Sequence, residues 1–299
     1  MTVPTIQPKR HHYIPQMVLR HFADTDGDLW FWRRDFKPGD IRKATTQNLF
    51  VQKDLYTQVH SDGTKDVGLE KFFADLEGTG ADFIRQLSAI VRRGLVPKLD
   101  DGAWDFWHHF FYYQIKRTPG YFKALAERAG FRESVRAGVE KLKEIEAAEG
   151  RFDGHESLES RIYKNAAVIA QGSAPTAEVL SVFNKLGLAI YRITDPAKSF
   201  IVADVPGAAA RIGQPEDTVS GAAIFIPLTD DIAIGHLARP KAIEVFIVDR
   251  EQVRRMNVAS ASRSTVIAGR SSALLASLSR SVPYVGVKGF DAAGRLETD

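Results

Sequence analysis

The sequence of 299 residues contains no cysteine. This excludes disulfide scaffolds, cysteine-based zinc and iron–sulfur sites, and a thiol nucleophile, and it fits a reducing compartment. No uninterrupted apolar stretch approaches the ~20 residues of a membrane span, and residues 1–12 lack the apolar segment of a signal peptide. These absences predict a soluble, cytoplasmic protein with no membrane partner.

A large excess of one charge is also missing, since 40 Lys and Arg residues face 37 Asp and Glu residues, for a net charge of +3. A protein that coats duplex nucleic acid usually carries a stronger basic excess. The P-loop, Gly-x-Gly-x-x-Gly after a strand, His-Glu-x-x-His and Gly-x-Ser-x-Gly motifs are absent. Their absence argues against the common nucleotide-binding, zinc-protease and esterase mechanisms. The sequence does not indicate an oligomeric state.

The residues present indicate a helical middle, residues 67–186, between two β-rich ends. Residues 1–66 predict a short helix that begins at Pro15 and a small β meander over 24–56. Within the middle, residues 101–118 are apolar around most of the helix circumference and predict the buried central helix. The other helices are expected at 67–93, 121–129, 132–149, 158–170 and 176–184.

The third region, residues 187–299, contains short apolar runs bounded by turn residues, which predict a mixed or antiparallel sheet with helices near its end. The strands are expected at 188–193, 199–203, 224–227, 232–236 and 244–248, and the helices at 250–256 and 265–279. The loop 206–221 and the polar C-terminal tail are the expected flexible segments. Without regular βαβ alternation the fold class is α+β, which we expect to form a single domain over residues 1–299.

Polar residues of several types stand out against this apolar background. His11 and His12 are adjacent, so their side chains diverge and at most one can serve as a general base or metal ligand. The alternative is that one imidazole bonds core backbone while the other faces solvent. Glu70 and Glu77 lie seven residues apart on one helix face. One of them could join His11 or His12 while the other pairs with an arginine; the favoured alternative is that both are surface residues beside the core.

The central helix carries two further polar residues, Gln114 and Arg117, which must find partners in the interior. A buried arginine is either a structural ion-pair node, with Glu70, Glu77 or Asp204 as its partner, or a clamp for phosphate or carboxylate. Asp204 ends an apolar strand, where it could present a carboxylate at a sheet edge or cap the following loop.

The segment Lys9 to Gln16, with Leu19 and Phe22 behind it, resembles the bacterial domain-of-unknown-function family 4238, whose N-terminal signature is His-His-Tyr-Val-Pro. The family usually has serine where this chain has Ala203 and Thr229, which weakens any role for a hydroxyl at the first position. The resemblance implies no agreed activity. It continues downstream at Asp54-Leu55-Tyr56, Glu70, Glu77, Gln114, Arg117-Thr118-Pro119, Phe200 to Pro206, Ile226 to Thr229 and Asn257.

Two functions are compatible with these residues. The first is a metal-assisted phosphodiester hydrolase, a nuclease-like effector acting on nucleic acid or a phosphorylated small molecule with one divalent cation, Mg²⁺ or Mn²⁺. In it, His11 or His12 would be general base or ligand, Glu70 and Asp204 metal ligands, and Arg117 with Gln114 the phosphate clamp. The second is a non-enzymatic binding or regulatory module in which the same residues form a buried structural network.

Overall fold

The structure is a computed structural model, and it describes residues 10–60, 64–148, 158–211 and 222–282. These residues form two compact units. The described residues of unit 1 lie within 1–11, 52–75 and 116–174, and those of unit 2 lie within 12–51, 76–115 and 175–299. The α+β class is confirmed. The expected flexible tail lies outside the described residues.

Short strands and one short helix make up the N-terminal region. Residues Tyr13 to Pro15 lead into helix α1 (Gln16–Leu19), and a 3-10 turn follows at Arg20–Phe22. This confirms the short helix predicted from Pro15 onward. The elements are β1 (Arg10–His12), α1 (Gln16–Leu19), β2 (Asp28–Arg33), β3 (Arg42–Thr45), β4 (Val51–Lys53), β5 (Gln58–Val59) and β6 (Lys65–Asp66). Strand β1 pairs with β4, and β5 pairs with β6.

The middle of the chain is helical, as predicted, and none of the described helices is long and apolar enough to cross a membrane. Its helices are α2 (Gly68–Arg92), α3 (Asp101–Lys116), α4 (Pro119–Arg128), α5 (Phe131–Ala148), α6 (Leu158–Gly172) and α7 (Ala177–Phe183). Helix α4 begins at Pro119, which needs no amide hydrogen at that position, while Thr118 before it is extended.

A five-stranded mixed sheet forms the larger β layer of unit 2, in the order β12-β7-β11-β10-β9. Strands β7 and β12 are parallel and the other neighbours are antiparallel. Its strands are β7 (Gly187–Arg192), β9 (Ala208–Arg211), β10 (Ala222–Pro227), β11 (Ile232–Leu237) and β12 (Ile243–Ile247), and the chain adds β8 (Val202–Ala203) between β7 and β9. The expected loop 206–221 thus begins with strand β9, and 212–221 lie outside the described residues.

The final elements are α8 (Arg250–Arg263), β13 (Val266–Gly269) and α9 (Ser272–Ser279). The predicted helix over 265–279 was wrong in its first part. Val266 and Ile267 are β-branched and favour an extended backbone, and Ile267 is fully buried where β13 pairs with β2 and β8. The predicted helix 250–256 was too short because residues 257–263 show little apolar periodicity, although Asn257, Ser260 and Ala261 are buried.

The expected N-terminal meander is part of a larger sheet. Strands β2 and β3 form a hairpin, and β2 also pairs with β13, giving the order β3-β2-β13-β8. Because β2 and β13 are more than 230 residues apart in the chain, their pairing leaves no local signal in the sequence.

The hydrophobic core of unit 2 joins α1 to the central helix, since Val18, Leu19 and Phe22 belong to the same buried cluster as Trp107 and Phe110. A β-carbon on Gly80 would lie 2.8 Å from the Phe110 ring and 2.9 Å from the Met17 methyl group. Gly80 therefore allows close approach inside a continuous α2. A glycine inside a helix can mark a kink, but Gly80 serves the packing of α2 instead.

We predict opposite effects of alanine at two glycines of unit 2. A β-carbon at Gly187 would lie 2.3 Å from the Ala242 carbonyl oxygen, so Gly187→Ala should lower the free energy of unfolding by about 3 kcal/mol. Gly78 lies in α2 with open space around it, so Gly78→Ala should raise that free energy by about 0.5–1 kcal/mol. Chemical denaturation measures both. Equal stability of the two variants would contradict the packing at Gly187.

Candidate functional site

His11 is held in the interior of unit 1, with 1% of its surface exposed. Its Nδ1 accepts a hydrogen bond from the Tyr56 backbone amide at 2.9 Å. The imidazole stacks on the Tyr56 ring, with the ring centroids 5.4 Å apart and the planes 19° apart. Because Nδ1 accepts, the ring hydrogen of a neutral His11 resides on Nε2.

Glu70 meets the second nitrogen of this imidazole. The Glu70 Oε2 atom lies 2.5 Å from His11 Nε2. Glu70 stands in the first turn of α2, and its side chain keeps 26% of its surface exposed while that of His11 is fully covered. Glu70, one of the two glutamates considered from the sequence, therefore contacts a histidine. Both nitrogens of His11 face protein groups.

Arg117 is also 1% exposed in unit 1, as its position on the apolar central helix predicted. Its Nε donates to the Tyr56 hydroxyl oxygen at 3.3 Å, and its guanidinium carbon lies 4.6 Å from the centre of the Phe73 ring. The Tyr56 hydroxyl in turn donates to the Arg117 carbonyl oxygen at 2.9 Å. Tyr56 thus connects His11 to Arg117 through its backbone amide, its ring and its hydroxyl.

The last turn of α3 is tied to the end of α6. The amide of the fully buried Gln171 donates to the carbonyl oxygens of Arg117 and Thr118, at 3.3 and 3.4 Å. The Lys116 ammonium donates to the backbone and hydroxyl oxygens of Ser173, at 2.9 and 2.5 Å. Burial lowers the pKa of Lys116. These bonds supply donors to the Arg117 and Ser173 carbonyl groups, which lie just beyond the last residues of α3 and α6.

His12 and Gln114 belong to unit 2. The Nε2 atom of the half-buried His12 lies 3.1 Å from the Thr46 carbonyl oxygen. Gln114 is 3% exposed and lines an apolar cleft, where its Nε2 has no hydrogen-bond partner among the described residues. His12 thus contacts Thr46, whereas the adjacent His11 contacts Tyr56 and Glu70.

Asp204 follows β8 in unit 2 and holds the turn after α8. It accepts hydrogen bonds from the Thr265 amide, at 3.0 Å to Oδ1, and from the Thr265 hydroxyl. Burial raises the pKa of this carboxyl group, and the bonds from Thr265, Val266 and Ser264 act against that rise. A metal ion at Asp204 would compete with the donors of Thr265. The loop-capping role weighed from the sequence concerned the loop that follows Asp204, whereas these bonds go to Thr265, 61 residues further along the chain.

The structure thus brings His11, Glu70 and Arg117 together in unit 1, with Tyr56 between His11 and Arg117. Within the described ranges no three His, Asp or Glu side chains gather in a metal-ligand arrangement. The catalytic and metal-binding roles drawn from the sequence stay predictions.

A pair of histidines in unit 2 was not considered from the sequence. The Phe183 ring stacks between the rings of His108 and His236, with centroid distances of 5.3 and 5.5 Å. Burial lowers the pKa of His108, and burial together with the neighbouring His108 lowers the pKa of His236 to about 4. Their Nε2 atoms and the Trp107 Nε1 have no partner in the described structure. Isolated histidines on apolar elements were the only sequence signal for this cluster.

The model of the family described as "Protein of unknown function (DUF4238)" matches residues 10–272. The chain belongs to this family. The matched span contains His11, Glu70, Tyr56 and Arg117, so the residues around His11 in unit 1 lie inside the DUF4238 region. Neither the curated proteins nor the solved structures contain a match to the chain. Membership therefore locates the domain but brings no activity with it.

We predict that the buried contacts of Arg117 stabilise the DUF4238 domain. Arg117→Met keeps most of the apolar stem but removes the Nε hydrogen bond to the Tyr56 hydroxyl and the contact of the guanidinium with the Phe73 ring, and it should lower the free energy of unfolding by about 2–4 kcal/mol. Tyr56→Phe removes the hydroxyl alone and should cost about 1–2 kcal/mol. Lys123→Met, at a half-exposed position of α4, is the control for loss of a cation. Unfolding curves in urea measure the losses. An Arg117→Met variant as stable as Lys123→Met would contradict the prediction.

Acid should weaken the packing around His236. The pKa of His236 is lower in the folded chain than in the unfolded chain, so between about pH 6.5 and pH 4 the unfolded chain binds a proton at this group that the folded chain does not. The contribution of His236 to the free energy of unfolding is therefore present above pH 6.5 and is lost as the pH falls. The maximum loss is about 3 kcal/mol for this group. His236→Phe should flatten the stability–pH curve in that window, whereas His60→Gln at an exposed position should not. Parallel curves for wild type and His236→Phe would refute the assignment.

Proposed function

We propose that this chain is a non-enzymatic binding module in which His11, Glu70, Tyr56 and Arg117 form a structural network. The observation that supports this proposal is burial: the two residues best suited to acid–base and phosphate chemistry, His11 and Arg117, are each 1% exposed. A general base or an anion clamp must reach its substrate within hydrogen-bonding distance. His11 instead uses one nitrogen for a backbone amide and turns the other to Glu70.

Tyr56 gives the network its structural character. Its amide, ring and hydroxyl contact His11 and Arg117, and it lies on the segment between β4 and β5. Arg117 sits where α3 ends and α4 begins, and Gln171 bonds the same carbonyl oxygen that the Tyr56 hydroxyl bonds. A set of residues that joins a strand, a loop and three helix ends fits a role in fixing the geometry of unit 1.

The second candidate is the metal-assisted phosphodiester hydrolase, and one observation favours it. Glu70 keeps 26% of its side-chain surface exposed beside His11, so a partly exposed glutamate side chain is held against an oriented imidazole. In this mechanism Glu70 would hold Mg²⁺ or Mn²⁺, His11 would act as base, and Arg117 would stabilise the developing phosphate charge, all three in unit 1. Nucleic acid or a phosphorylated small molecule would be the substrate.

Hydrolysis assays separate the two candidates. The proposal predicts that hydrolysis of bis(p-nitrophenyl) phosphate and of single-stranded DNA, with Mn²⁺ or Mg²⁺, differs by less than twofold between wild type, Glu70→Gln and Glu77→Gln. Glu77→Gln is the matched control because it lies two turns further along α2. Metal-dependent hydrolysis that Glu70→Gln loses at least 100-fold and Glu77→Gln retains would overturn the binding-module proposal in favour of the hydrolase.

A further inference from the structure

A partly open cleft lies wholly within unit 2. Ile14 and Val18 of the N-terminal segment, Phe110 and Gln114 of α3, and the ends of strands β8 and β10 line it. Its walls are mainly aliphatic, and Gln114 and Ser260 are the polar side chains on them. The described residues that line the cleft include no charged side chain.

Gln114 distinguishes this cleft from an ordinary packing void, because it places a buried polar group on the lining. Only 3% of the surface of Gln114 is exposed, and its Nε2 has no hydrogen-bond partner in the described part of the chain. A buried amide without a partner costs free energy because its bonds to water are lost without replacement, and folded proteins rarely retain such a group without a reason. A ligand that supplies an acceptor to Nε2 would recover that free energy.

The lining selects the kind of acceptor. A carboxylate or phosphate would leave water without meeting a cation among the lining residues, which is strongly unfavourable. A neutral carbonyl oxygen accepts the amide hydrogen without that cost. The enclosed space measures about 20 Å³, enough for one or two water-sized groups, so the head of the ligand must be small while its remainder extends through the open side.

We propose that this cleft binds a neutral small molecule through a short acyl head, such as an acetyl group, whose carbonyl oxygen accepts a hydrogen bond from Gln114 Nε2. The methyl group of the head packs against Phe110, Ile226 and Val202. The inference rests on the proposed binding function and names its ligand class. Val205 also lines the cleft and is half-buried.

The test uses the full chain with ¹⁵N-labelled glutamine side chains and N-propylacetamide as the probe. The Gln114 side-chain signal, assigned by its loss in Gln114→Leu, should shift saturably at millimolar N-propylacetamide. Pentanoate, of similar length but charged, should bind at least tenfold more weakly. Ligand-observed NMR should show at least tenfold weaker binding of N-propylacetamide to Gln114→Leu, and no change for Gln86→Leu at an exposed position of α2.

Val205→Phe provides a second variant that leaves Gln114 in place, and it should also weaken binding of N-propylacetamide at least tenfold by filling the cleft. A Gln114 signal that does not respond to N-propylacetamide would mean a bound water only and would overturn the inference. Pentanoate binding as tightly as the amide, or unchanged affinity in Gln114→Leu, would overturn it too. Each of these results leaves the Glu70 hydrolysis assay unaffected, so failure of this inference and failure of the proposed function are distinguishable.

Discussion

Burial of the Arg117 guanidinium is the constraint on which the rest of unit 1 depends. A cation removed from water needs polar or π-electron partners close by, and here the Tyr56 hydroxyl and the Phe73 ring are among them. Tyr56 can serve because its own backbone amide is fixed by His11, and His11 is fixed in turn by Glu70. The histidine that first suggests catalysis is thus the far end of a chain of contacts that begins at a buried arginine.

The ends of the helices follow from the same constraint. Placing Arg117 at the end of α3 leaves carbonyl groups there to be satisfied, and Tyr56 and Gln171 supply the donors. Pro119 then starts α4 without needing an amide hydrogen, so the Arg-Thr-Pro motif combines a buried anchor with a helix restart. In unit 2, Gln114 is buried, and its Nε2 has no hydrogen-bond partner among the described residues.

The features of this structure that depend on neighbouring residues in the chain could be predicted from the sequence. Helical periodicity located α2 to α7, and the apolar circumference of α3 implied that Gln114 and Arg117 are buried. The adjacency of His11 and His12 implied divergent side chains. Tyr56 was not identified as the link between His11 and Arg117. It lies on an irregular segment, and its contacts depend on these two residues, about 45 and 61 positions away in the chain. Strand β13 and the stacking of His108, Phe183 and His236 were not predicted either, because both depend on contacts between residues that are far apart in the chain.

The protonation pattern of the His11 ring tests the structural role of the network most directly. Nitrogen-15 NMR of the histidine-labelled full chain distinguishes the ring nitrogen that carries hydrogen from the one that accepts. The account predicts that Nε2 of His11 carries the hydrogen and that Nδ1 is the acceptor for the Tyr56 amide. A hydrogen on Nδ1, with Nε2 free as a base, would contradict it.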